Sequence, residues 1–142
     1  MICVFLVLIL AVSIIGVGFS VGVKIHGHFE PFVAVNFDTW LLGFQVKAGV
    51  IFATDSIVLV PGLYLYKDIA SWRVHGGVEG LIHLGEMECL MLAGAGASYG
   101  FKTDFGRVLV GGELGLPISL PGDFFVDATM KPVPTFLIQL EF

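Results

Sequence analysis

The stretch from Pro132 to Phe142 (PVPTFLIQLEF) alternates with a period of two. Phe136, Ile138, Leu140 and Phe142 are apolar, whereas Thr135, Gln139 and Glu141 are polar, with Leu137 as the exception. That period belongs to a β-strand whose two faces meet different surroundings. A lone strand is not stable, so this one must pair with strands earlier in the chain. Which face is enclosed decides everything else. A soluble barrel turns its apolar face inward, and a membrane barrel turns it outward.

The same period recurs from Val21 onward. Val21, Val23, Ile25 and Phe29 alternate with Gly22, Lys24, His26 and His28, and Glu30-Pro31 is expected to turn the chain, since proline lacks the ladder donor. Val33, Val35 and Phe37 then oppose Ala34, Asn36 and Asp38. Phe44, Val46, Ala48 and Val50 oppose Gly43, Gln45, Lys47 and Gly49. After Thr54-Asp55-Ser56 a fourth strand places Leu59, Leu63 and Leu65 against Gly62, Tyr64 and Tyr66, with Pro61 as an expected bulge or weak spot. In the fifth, Trp72, Val74, Val78 and Ile82 oppose Arg73, His75, Glu79 and His83. Met91, Ala93, Ala95 and Ala97 oppose Gly94, Gly96 and Ser98, and Val108, Val110, Leu114 and Leu116 oppose Arg107, Gly111 and Glu113. Residues 117–123 break the pattern, and 124–131 extend the phase of the last strand. No stretch after residue 20 has a period of 3.6. Eight strands result.

Residues 2–19 carry no charge and are almost wholly apolar. Gly18 and Ser20 are small residues at the −3 and −1 positions of a cut after Ser20, so residues 1–20 read as a cleaved secretory signal peptide. A retained membrane anchor is the other reading of this segment. The missing basic residue is unusual for a signal peptide.

Charge placement decides which face is inside. Only 13% of the 142 residues are charged, against ~25% in soluble domains. Lys24, Asp38, Lys47, Arg73, Glu79, Arg107, Glu113 and Glu141 all fall on the polar phase of their strands, as do all four histidines. The remaining charges fall at expected turns. A soluble barrel would expose that phase to water and load it with charge, yet here it is rich in glycine, which suits a narrow lumen. The apolar phase, with its Phe and Trp, would also overfill so small an interior. Directed into lipid it needs no interior space, and Phe29, Trp40, Phe52, Trp72, Phe101 and Phe142 form interfacial girdles. The expectation is therefore all-β: a single eight-stranded antiparallel up-and-down transmembrane β-barrel over residues 21–142, after the signal peptide.

With its alternation and its terminal Phe142, the chain resembles the small eight-stranded bacterial outer-membrane barrels of the OmpA and OmpX type. The resemblance implies an outer-membrane location, outer-membrane lipid as surroundings and the outer-membrane assembly machinery as a partner. It also implies that Phe136, Ile138, Leu140 and Phe142 form the assembly signal, recognised by strand addition to an open sheet edge. Leu140 departs from the aromatic most often found there. Long polar loops, where such proteins carry adhesion or receptor functions, are missing.

The polar phase is expected to form a buried network of Lys24, His26, His28, Lys47, Arg73, His75, Glu79, His83, Arg107 and Glu113, in which charges are tolerated because they pair. A zinc reading of His26 with His28, or of His75 with His83, lacks completing ligands. No cofactor or metal is expected. Catalysis is not expected either, because the sequence holds no His-x-Ser pair. A net charge of −5 without a basic cluster argues against nucleic acid. The expected role is structural or in envelope interaction, with the lumen closed by a polar plug and no large pore. The competing reading is a soluble periplasmic barrel of lipocalin type, binding a small apolar ligand. Oligomeric state is left open.

Overall fold

The computed structural model describes residues 14–52, 56–85, 89–118 and 131–142. Eight strands follow one another: β1 (Ile14–Ile25), β2 (Phe29–Thr39), β3 (Gly43–Phe52), β4 (Ile57–Ile69), β5 (Trp72–His83), β6 (Cys89–Thr103), β7 (Gly106–Ile118) and β8 (Val133–Glu141). Each pairs antiparallel with the next, and β8 pairs with β1 to close a barrel. Every strand therefore has two partners, which removes the open edges a sheet of this composition would otherwise present.

The start of β1, the end of β8 and the turns at 40–42, 70–71 and 104–105 lie at one end of the barrel. The turn at 26–28 lies at the other, together with the ends of β3, β5 and β7 and the starts of β4, β6 and β8. Thr39 organises the first of the short turns: its Oγ1 accepts from the amides of Leu41 and Leu42 and donates to the Leu42 carbonyl. Gly27, at φ 83°, makes the turn after β1 with a conformation that glycine enters without strain.

Side-chain orientation follows the two-residue period throughout. Among the described residues, 28 large apolar side chains are exposed and only nine hydrophobic residues are buried. Eleven polar or charged residues are buried. A water-soluble domain has the opposite arrangement, with burial reserved for apolar groups and exposed apolar patches kept small. Leu137, the exception in the closing strand, faces inward and packs with Phe32 and Ala34. A second inward apolar group, Ile51, Val58 and Val60 with Leu81 against it, fills part of the lumen between β3, β4 and β5. Inward glycines make room for large neighbours. A Cβ on Gly43 would enter the ring of Tyr66, and one on Gly77 would meet Tyr64.

Four local expectations are corrected or sharpened. The described part of β1 starts at Ile14, and its residues Gly16–Ser20 pair with Asp38–Ala34 of β2, so the expected boundary after residue 20 falls within a strand. Glu30 and Pro31 lie within β2, opposite Lys24 and Val23, and the turn comes earlier, at 26–28. Pro61 is a weak spot rather than a bulge. The β4–β5 pairing lapses between Leu59↔Ile82 and Gly62↔Glu79 and resumes in the same register, as the loss of one amide donor requires. His28 is exposed in that 26–28 turn, because Gly27 carries the chain out of the strand before it. The expected extension over 124–131 lies mostly outside the described residues.

Candidate functional site

The lumen holds two ionic clusters. The first is an alternating chain of five charges. Lys47 Nζ donates to Glu30 Oε1 at 2.5 Å and also to Glu79 Oε1. Lys24 Nζ donates to the same Glu79 oxygen at 2.7 Å and to Glu113 Oε1 at 2.9 Å. Five strands supply these groups: Lys24 from β1, Glu30 from β2, Lys47 from β3, Glu79 from β5 and Glu113 from β7. Tyr64 of β4 completes the ring, accepting from Lys24 Nζ at 2.6 Å and donating to Glu113 Oε1 at 3.2 Å. None of the five charged side chains is more than 6% exposed. Histidines flank both ends of the chain. His26 Nε2 lies 2.9 Å from Glu30 Oε2, and His75 Nε2 lies 3.2 Å from Glu113 Oε2.

The second cluster sits toward the end that carries the short turns. Arg73 Nε and Nη2 both donate to the Asp68 carboxylate at 2.8 Å, and Nη1 donates to Glu141 Oε1. Arg107 Nη1 reaches Asp68 Oδ2 at 3.0 Å. The Arg73 guanidinium also stacks on the Tyr66 ring, 3.9 Å from its centroid, while the Tyr66 hydroxyl donates to Asp38. Asn36, Gln45, Ser20 and Gln139 link to Glu141 through side-chain hydrogen bonds.

Between the clusters lies a cavity of about 20 Å³, bordered by Lys24, Tyr64, His75 and Glu113 on one side and by Gln45, Arg73 and Gln139 on the other. Apolar-ligand sites run to ~300–1,000 Å³. The lumen leaves no such space there, which removes the basis for a lipocalin-like ligand in this cavity.

Of the polar residues singled out from sequence, Lys24, Lys47, Glu79, Glu113, His26 and His75 come together in the first cluster. Arg73 and Arg107 come together in the second. His28 is exposed, and half-buried His83, opposite Val58, joins neither cluster among the described residues. The described residues contain no group of three or more His, Cys, Asp or Glu able to hold a metal ion. Two acidic residues escaped sequence reasoning. Glu30 was assigned to a turn, although it shares its parity with Asn36 and Asp38, and Asp68 was assigned to another, although it is one pleat from Tyr66. Phe136, Ile138 and Phe142 are exposed on the outer face, and Leu140 shares their phase.

No protein-family model matches the chain, and no curated protein matches it. Among solved structures, the N-terminal β-barrel domain of Pseudomonas aeruginosa OprF aligns with a TM-score of 0.55 at 11% identity, over 89% of this chain and 96% of that one. The chain has the fold of the small eight-stranded outer-membrane barrels. A barrel from the de novo design of transmembrane β-barrels aligns similarly, with a TM-score of 0.53 at 13% identity, over 89% of this chain and 93% of that one. At such identities the likeness is one of fold. The two ionic clusters are described from this chain's own residues.

Proposed function

We propose that this chain is an integral barrel of the bacterial outer membrane, with a structural or envelope-interaction role and a lumen closed by its own ionic side chains. One observation carries the reading: the buried groups are mainly polar and charged, while the exposed ones are mainly large and apolar. In water that arrangement would leave an apolar belt unsolvated around the whole barrel, and in lipid it is the stable one. Trp40, Trp72 and Phe142 near one end, and Phe29 and Phe52 near the other, suit the two interfacial girdles. The two clusters span the lumen, as expected of eight strands, whose interior is just wide enough for side chains to fill.

Phe136, Ile138, Leu140 and Phe142 are proposed as the signal read by the outer-membrane assembly machinery. Export calls for a leader, and the extent of β1 constrains where it is cut. Cleavage after Ser20 would remove the residues that pair with Ala34–Asp38, together with the Ser20 hydroxyl that bonds Asn36.

Fractionation tests the proposal. The mature protein should require detergent for extraction and migrate differently on gels before and after boiling, and planar bilayers should show no conductance in the nanosiemens range. Recovery in the soluble periplasmic fraction without detergent would overturn the membrane reading. N-terminal sequencing of the extracted protein locates the cut.

A further inference from the structure

Three buried side-chain atoms have no hydrogen-bond partner among the described residues: His75 Nε2, Ser98 Oγ and Glu113 Oε2. His75 Nε2 and Glu113 Oε2 lie 3.2 Å apart without the alignment of a hydrogen bond. Ser98 is wholly buried. All three residues border the cavity between the two clusters. Buried polar groups are almost always satisfied, by protein or by ordered water, and orphans that share a space point to an occupant of that space.

Glycines form part of the wall around these atoms. A Cβ on Gly96 would stand 2.8 Å from His75 Nε2, and one on Gly111 would stand 2.6 Å from Ser98 Oγ. The strands β6 and β7 thus withhold side chains where the orphaned groups stand. A void of about 20 Å³ exceeds the ~10–15 Å³ a single water needs, and dry cavities of natural and engineered proteins are lined by apolar groups alone. This one is not.

We propose that the cavity is a hydration site, holding one water molecule that hydrogen-bonds Ser98 Oγ, Glu113 Oε2 and His75 Nε2 and ties the buried Ser98 hydroxyl to the first ionic cluster. The site's chemistry favours water over an ion. Lys24, Lys47 and Arg73 border the cavity together with Glu113, and each of the three cations is already paired with a carboxylate, so the lining leaves no unpaired charge for an ion. The occupant must also play both hydrogen-bonding roles. It donates to the carboxylate, which when ionised only accepts, and accepts from the serine hydroxyl. The proposal deepens the closed-lumen reading and rests on it.

The test is a crystal structure of the full chain in detergent at a resolution that shows ordered water, alongside the Ser98→Val variant. The expected result is one solvent peak within ~2.6–3.2 Å of all three atoms, lost in Ser98→Val. An empty cavity, a peak that persists in the variant, or a peak with the short, charge-compensated contacts of a cation would each overturn the proposal. Should Ser98→Val not refold, Ser98→Ala serves instead, with the expectation that the solvent peak no longer has a partner at residue 98. An unchanged peak position and occupancy would count against the site. Planar-bilayer recording of the unaltered protein separates the two readings. A nanosiemens channel would remove the closed lumen, whereas a closed barrel with a dry cavity would remove the water alone.

Discussion

The two clusters in the lumen solve one problem with different residues. The first uses lysines, each a compact charge shared between two carboxylates, in a chain of alternating sign that is almost completely buried. The second uses arginines, whose planar fork takes Asp68 through two parallel bonds, and it opens toward solvent: Asp68 is 38% exposed and Arg107 21%. Depth separates them. A strongly hydrated ammonium is costly to bury, and each lysine is shared between two carboxylates, whereas Arg73, itself only 7% exposed, spreads its charge over a planar fork that reaches the half-solvated Asp68. Removing one member should therefore cost much in the first cluster and little in the second.

The largest effect is expected from the lysines. The first chain holds three carboxylates and two ammonium groups, so Lys47→Met leaves three negative charges facing one positive charge. Breaking a buried pair in this way costs about 3–5 kcal/mol, read as the loss of stability in urea titrations of the refolded protein. Glu79→Gln should cost less, about 1–3 kcal/mol, although Glu79 contacts both lysines. Its removal leaves two balanced pairs, Lys47 with Glu30 and Lys24 with Glu113. If Glu79→Gln were the more damaging of the two, charge balance would not be what orders this cluster. At the mouth, Asp68→Asn should change stability by about 0–1 kcal/mol under the same titration, and a loss as large as that of Lys47→Met would erase the contrast between depth and rim.

The smallest expected effect is one of pH. His26 lies in the turn after β1, and the hydrogen bond from its ring to Glu30 raises its pKa above the ordinary imidazole value, against the opposing effect of partial burial. A group whose pKa is raised by folding adds stability that is complete below its unfolded value and is lost as pH rises through the folded one. Unaltered protein should therefore lose a little stability across that interval. The His26→Gln variant should show a flatter profile, and identical profiles would remove the histidine from the account.

Much of this fold was legible in the alternation of residues. The parity that put Lys24, Lys47, Arg73, Glu79 and Glu113 on one phase also put their side chains in the lumen, because a pleated strand has only two faces. Local rules failed where pairing overrode them. Pro31 marks a turn in isolation, yet within β2 it sits opposite Val23, so Glu30 became a lumen carboxylate. Apolar content made residues 14–20 look like part of a leader. In the barrel, those same residues supply outward side chains such as Val17 and Phe19, because lipid-facing strands and leaders draw on the same apolar composition. His28 could not be placed from parity, since alternation carries no information once a strand has ended. Which carboxylate meets which lysine was also beyond the sequence, because these contacts cross the lumen between strands that are not neighbours.

The pairing of β1 with β8 spans only six residue pairs, Ser20↔Glu141 to Ile25↔Phe136, while β6 and β7 pair over thirteen. Every other neighbouring pair is a hairpin, but this one joins segments more than a hundred residues apart. Chain-closure entropy and contact order make such a step slow. The barrel is therefore expected to fold as a sheet that curls, with hairpins formed early and the circle completed last. During refolding, Trp72 fluorescence from the β4–β5 hairpin should change before the gel-mobility shift that reports the closed form, and simultaneous changes would contradict this order.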